Sequence, residues 1–170
     1  MSESLDNTIH AIRKISTRLR PDILDKLGLT AAIEWQLQEF RKRTGIQFHF
    51  ASYPNDIRLN EHQSTALFRI LQEALTNVAR HSQAGRVGIV LELQESEVSL
   101  RIDDNGSGID EDKILDGQSL GLLGMRERAA SLGGYVTVQR NEDQGTSVIT
   151  RLPIAQINET TEFSLRSQEL

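Results

Sequence analysis

The sequence contains no cysteine, which removes disulfides, thiolate metal sites and cysteine nucleophiles together and fits a reducing compartment. Aromatic residues are scarce, at 5% with a single tryptophan, so the core must be assembled from Leu, Ile, Val and Ala. No apolar run approaches the roughly 20 residues that a bilayer-spanning helix needs, and the opening MSESLDNTIH lacks the apolar stretch of a signal peptide. No long basic run is present either. With 24 acidic residues against 19 basic ones and a net charge of −5, a nucleic-acid partner is not expected. There is no internal repeat. The expectation is a soluble, cytoplasmic chain of 170 residues, long enough for one ordinary domain plus an appendage, with membrane attachment of a longer parent through sequence outside it left open.

What is present is periodic. Leu5, Ile9, Ile12, Ile15 and Leu19 are spaced 4, 3, 3 and 4 apart, the seam of a helix that packs on another helix, in a second chain or in a longer helical element. Pro21 ends it. Leu24 to Leu29 forms a short apolar hinge around Gly28, after which helical spacing resumes near Thr30 and runs to 43, with Gly45 as a C-terminal stop. Residues 46–51 alternate as a strand and 53–56 form a turn. Asn60 with Gln63 gives the spacing of a capping box for a helix reaching about His81. On that helix Leu67, Leu71, Ala74, Leu75 and Val78 share an apolar face, while Glu73, Asn77, Arg80 and His81 share another. A hairpin over 87–102, a helix opening at Gly121 and closed by Gly133-Gly134, and strands beginning at Tyr135 and Thr146 complete an α/β pattern. The architecture predicted is a hairpin-rich sheet covered by helices on one face. Residues 109–120 read as a mobile loop, and 155–170 as a disordered tail.

Four stretches can carry chemistry. A polar helix face with a carboxylate, an amide and two potential cations could grip one ligand, although a plain solvated face is polar too. Asp103 to Gly108 (DDNGSG) could be a tight turn or a calcium loop, but the twelfth position is Ile114 where a bidentate Glu is required. What remains is Asp104 at the end of a buried strand, followed by Gly106 and Gly108, a fixed acceptor beside backbone that a flat ligand can approach. Gly121-Leu122-Leu123-Gly124 opens a helix whose amides could receive phosphate, yet neither the P-loop nor the Rossmann spacing is met. Gly145-Thr146 by itself is a hairpin turn. His10, His49 and His62 have no spacing suited to a metal site or a nucleophile relay.

Taken in order over residues 60–153, these four pieces resemble the ATP-binding domain of sensor histidine kinases, whose fold is shared with gyrase B, the Hsp90 chaperones and MutL proteins. Leu19-Arg20-Pro21, Leu27-Gly28-Leu29 and Gly124-Met125-Arg126-Glu127-Arg128 further resemble kinases of the nitrate-sensor and desaturase-regulator type. The resemblance implies a two-layer Bergerat fold with a mixed sheet. It divides the chain into the end of a dimerisation helix and connector (1–28), an ATP-binding catalytic domain (29–154) and a tail (155–170). It also implies roles. Glu73 acts as or orients the general base, Asn77 holds Mg²⁺, and Arg80 or His81 touches phosphate. Asp104 accepts from the adenine amino group with help from Thr146. Gly106 and Gly108 flank the pocket, residues 109–124 form an ATP lid that ends in Gly121, Leu122, Leu123 and Gly124, and Gly145 opens the last strand. The phospho-accepting His-Asp motif of the family is not found here; His10 is followed by Ala11. The expectation is therefore a catalytic fragment that binds Mg-ATP and phosphorylates a histidine in a dimerisation domain outside it, upstream of a response regulator. It would form a homodimer, if any, through the N-terminal helix. An ATP-sensing interaction module and an anti-sigma-type serine kinase are the alternatives.

Overall fold

The computed structural model describes residues 22–109, 119–141 and 144–154. The predicted helix over 3–20, most of the predicted loop over 109–120 and the predicted tail fall outside them. The first element, α1 (Asp22–Thr44), is two helical pieces joined at Gly28, whose φ of 82° and ψ of 177° interrupt the helix. Leu24 and Leu29 are both buried, so each side of this bend is anchored in the core. Ala32, Ile33, Leu37 and Phe40 form the inward stripe of the longer piece, and Trp35 stays half exposed to one side. Gly45, at φ 76°, closes the helix with its N–H on the Arg41 carbonyl at 2.8 Å.

After β1 (Gln47–Tyr53), helix α2 (Glu61–Asn77) begins at Asn60, whose side chain accepts from the Gln63 N–H at 2.9 Å. Only half of the capping box forms. The Gln63 amide turns away and donates to the Pro153 carbonyl at 2.8 Å, tying the start of α2 to the far end of the sheet. Leu67, Leu71, Ala74, Leu75 and Val78 are all buried, as the helical spacing predicts. The helix does not continue to His81 in the same register. Residues Val78–Ser82 form a π-helical turn, followed by Gln83 in the left-handed region at φ 54°.

Strands β2 (Arg86–Leu93), β3 (Glu97–Asp104), β4 (Tyr135–Arg140) and β5 (Thr146–Pro153) join β1 in a five-stranded mixed sheet of order β1-β2-β3-β5-β4. Only β1 and β2 are parallel. The register sets Val138, Val148, Ile102, Ile89 and Phe50 in one row across all five strands, on the face that the helices cover. Helix α3 (Leu120–Ala130) packs on α2 and on β4, and its end closes as the glycine pair predicts, with Gly133 and Gly134 donating to Ala130 and Ala129. The opposite face of the sheet carries ion pairs, Arg101 with Asp103 at 2.7 Å and Arg151 with Glu97. Among the described residues no helix is long and apolar enough to cross a membrane.

Candidate functional site

One cavity of about 500 Å³ opens between the helix layer and the sheet. Its floor is the row Ile102, Val148 and Val138, with Asp104 and Thr146 one step along the same strands. One wall is the end of α2 and the π-helical turn, through Ala74, Asn77, Val78, His81 and Ser82. The other is built by Ser107, Gly108, Ile109, Ser119 and Leu122.

Asp104 is the chemically distinctive group. Strand alternation turns it inward with Ile102, Leu100 and Val98, and it is 7% exposed. Burial pushes its carboxyl above the usual carboxylate range, and the negative charge of Asp103 adds to the rise. The Gly106 and Thr146 backbone N–H groups, which donate to the carboxylate, pull it part of the way back. The Gly106 bond is 2.8 Å long. Two backbone donors and the strand register fix the direction of this acceptor.

The loop after Asp104 is fixed by backbone rather than by side-chain packing. A Cβ on Gly106 would overlap the Ser82 carbonyl, and the Ser107 N–H donates to that carbonyl at 2.7 Å. Gly145, at φ 96°, lies so close to the Asp104 carbonyl that no side chain fits. Asn105 faces the other way and accepts from the Gly85 and Arg86 N–H groups at 3.1 and 2.9 Å.

Of the residues singled out by sequence, Asn77, His81, Asp104, Gly108, Leu122 and Thr146 line the cavity together. Gly106 and Gly145 lie beneath the lining and shape it through the close approaches above. Glu73, Arg80, Gly121, Leu123 and Gly124 are not part of the lining. Glu73 sits one turn before Asn77, and its carboxylate lies where a Gly121 side chain would be, against the first turn of α3. Arg80 is exposed on the π-helical turn. The even helical face over Glu73, Asn77, Arg80 and His81 assumed 100° per residue, and the π turn breaks that phase after Asn77. Sequence reading missed Ser82, Ser107 and Ser119, small polar residues with no pattern of their own. It also missed the cavity-facing Ile102, Val138 and Val148, which alternation places on the covered face without saying that a cavity lies over them.

Residues 62–156 match the family described as histidine kinase-, DNA gyrase B-, and HSP90-like ATPase. The signal transduction histidine-protein kinase/phosphatase DegS of Brevibacillus brevis is 34% identical over 154 residues, covering 91% of this chain and 40% of DegS. The oxygen sensor histidine kinase NreB of Staphylococcus carnosus is 33% identical over 150 residues, covering 88% of this chain and 43% of NreB. The chain thus spans less than half the length of these relatives. The histidine kinase domain of the Erythrobacter litoralis EL346 blue-light activated histidine kinase superposes with a TM-score of 0.63 over 75% of this chain and 62% of that one. Its identity of 21% makes this a likeness of fold. With the family match covering more than half of its residues, the chain belongs to the histidine kinase-, DNA gyrase B- and HSP90-like ATPases and carries an ATP-binding domain.

Proposed function

We propose that this chain is the catalytic part of a two-component sensor histidine kinase, transferring the γ-phosphoryl group of Mg-ATP to a histidine on a dimerisation domain. The observation that carries the proposal is the buried Asp104 carboxyl on the floor of a cavity whose wall presents Asn77 and His81. The cavity is large enough for a base and ribose, and Asp104 supplies a directed acceptor for the adenine amino group. Thr146 fixes that acceptor through its N–H. Leu122, Ile102 and Val148 offer apolar surface for the flat base.

The triphosphate belongs toward Asn77 and His81. Mg²⁺ would be held through the amide oxygen of Asn77 on the cavity wall. Bound there, it supplies charge neutralisation. The π-helical turn presents His81 on the cavity wall as the phosphate partner, with Arg80 exposed beside it, while Gly121 makes room for the Glu73 carboxylate and Gly124 for the Arg128 guanidinium. In transfer, a nitrogen of the acceptor histidine bonds to the γ-phosphorus as the bond to the ADP oxygen breaks. Glu73, beside Asn77, orients the imidazole or takes its proton. Catalysis of this kind rests on positioning and electrostatics. Residues 29–154 are assigned to this domain, 1–28 to the connector from the dimerisation helices and 155–170 to a tail. A response regulator would receive the phosphoryl group in turn, in the cytoplasm.

Incubating the protein with γ-labelled ATP, Mg²⁺ and a separate His-Asp helix fragment of a sensor kinase tests this. Label on the histidine supports the kinase. ATP binding with no transfer to any such fragment would indicate an ATP-sensing module, and label on serine the anti-sigma-type alternative.

A further inference from the structure

The two ends of the cavity are carried by different parts of the chain. Asn77 and His81 belong to the end of α2 and its π-helical turn, whereas Asp104 belongs to β3 and the loop that follows it. Ser82 is where they meet. The residue is only 7% exposed, and its hydroxyl both donates and accepts a hydrogen bond. The Oγ donates to the Val78 carbonyl at 2.8 Å and accepts from the Ala84 N–H at 3.1 Å, bracing the π-helical turn from its first residue to just past its last. The same residue's carbonyl accepts from the Ser107 N–H at 2.7 Å and fills the space that a Gly106 side chain would need. Gly106 in turn donates to Asp104. An unbroken chain of contacts therefore runs from the turn bearing His81, through Ser82, to the carboxylate.

We propose that Ser82 is a positioning residue for the nucleotide. Its hydroxyl locks the π-helical turn in the phase that keeps His81 on the cavity wall beside Asn77, the last residue of α2, and its carbonyl sets the distance of the turn from the loop after Asp104. A regular α-helix closes each turn one residue sooner than a π turn. Without the Ser82 hydroxyl the buried Ala84 N–H loses its partner and the Val78 carbonyl loses its side-chain brace, so the turn is released toward the tighter α-helical phase and His81 rotates away from the cavity. Asp104 keeps its own backbone donors. The damage is therefore selective for the triphosphate end. This inference rests on the nucleotide reading of the cavity.

The test compares ATP with adenosine, titrated calorimetrically with Mg²⁺ present, on wild type, Ser82→Ala and Ser82→Thr. Wild type should bind ATP more tightly than adenosine; if it binds neither, the nucleotide reading itself fails. Ser82→Ala should weaken ATP roughly tenfold, the worth of one buried hydrogen-bond donor and acceptor pair, while adenosine changes by less than about twofold. Ser82→Thr, which keeps the hydroxyl, should recover most of the ATP advantage. Equal weakening of both ligands, or an unchanged ATP-to-adenosine ratio in a folded Ser82→Ala, overturns the positioning role. If Ser82→Ala does not fold, Ser82→Cys, which keeps the shape but weakens both hydrogen bonds, decides: a lowered ATP-to-adenosine ratio supports the role, and a wild-type ratio contradicts it.

Discussion

At one end of the cavity Asp104 is 7% exposed and gripped by two backbone N–H groups; at the other, His81 stands exposed on a five-residue turn, with Arg80 beside it outside the lining. The first end is made of sheet. Its acceptor is set by strand register, by the fit of Gly145 against the Asp104 carbonyl and by the apolar row beneath, none of which moves without breaking the core. The second end is made of side chains on one helix terminus, held in phase by a few local hydrogen bonds. A rigid end suits recognition of a flat base of fixed shape. An adjustable end suits a triphosphate, whose position must shift as its terminal group is passed on.

Four substitutions break or sharpen this contrast. Gly145→Ala should have the largest effect, because it forces a side chain into a positive-φ site with no room beside Asp104. A loss of at least about 2 kcal/mol is expected in denaturant unfolding, together with loss of binding of both ATP and adenosine. Asp104→Asn comes next. It keeps the shape and removes the charged acceptor, so affinity for ATP and for adenosine should fall together, roughly 10- to 100-fold. Its stability should move the other way. Because the folded protein holds the Asp104 proton more tightly than the unfolded chain, this group's contribution is favourable at low pH and is lost as pH rises from the ordinary carboxylate range through the raised value. Unfolding of wild type and Asp104→Asn followed across that window should show the variant gaining relative stability with rising pH.

Asn77→Ala acts at the other end. Mg-ATP affinity should drop about tenfold or more while adenosine stays within about twofold, and the difference in ATP affinity with and without Mg²⁺ should vanish. Arg80→Ala should have the smallest effect. An exposed cation outside the cavity lining contributes little, so ATP affinity should change by no more than about threefold and should change less as salt is raised.

The same contrast explains what the sequence revealed. The covered face of the sheet was legible because strands alternate with period two, and Val98, Leu100, Ile102 and Asp104 obey that rule to the last residue. The inward aim of Asp104 followed directly. The apolar stripe of α2 was equally legible, since five residues at helical spacing all face the core. The phase of Arg80 and His81 was not. The π-helical turn is braced by the partners of Ser82, Val78 and Ala84 locally and the loop at Ser107, and that last contact is 25 residues away in sequence. Gln63 shows the same limit. Its position fitted a reciprocal capping box, but the Pro153 carbonyl, 90 residues away, offered its amide a partner on the sheet.

The central claim is that one cavity holds a nucleotide by two separable ends, with Asp104 at the base and Asn77 at the phosphates. Paired titrations of Asp104→Asn and Asn77→Ala with ATP and with adenosine test it most directly. Asp104→Asn should weaken both ligands alike, whereas Asn77→Ala should weaken ATP alone. Adenosine binding that survives Asp104→Asn unchanged, or that is lost with Asn77→Ala, would contradict it.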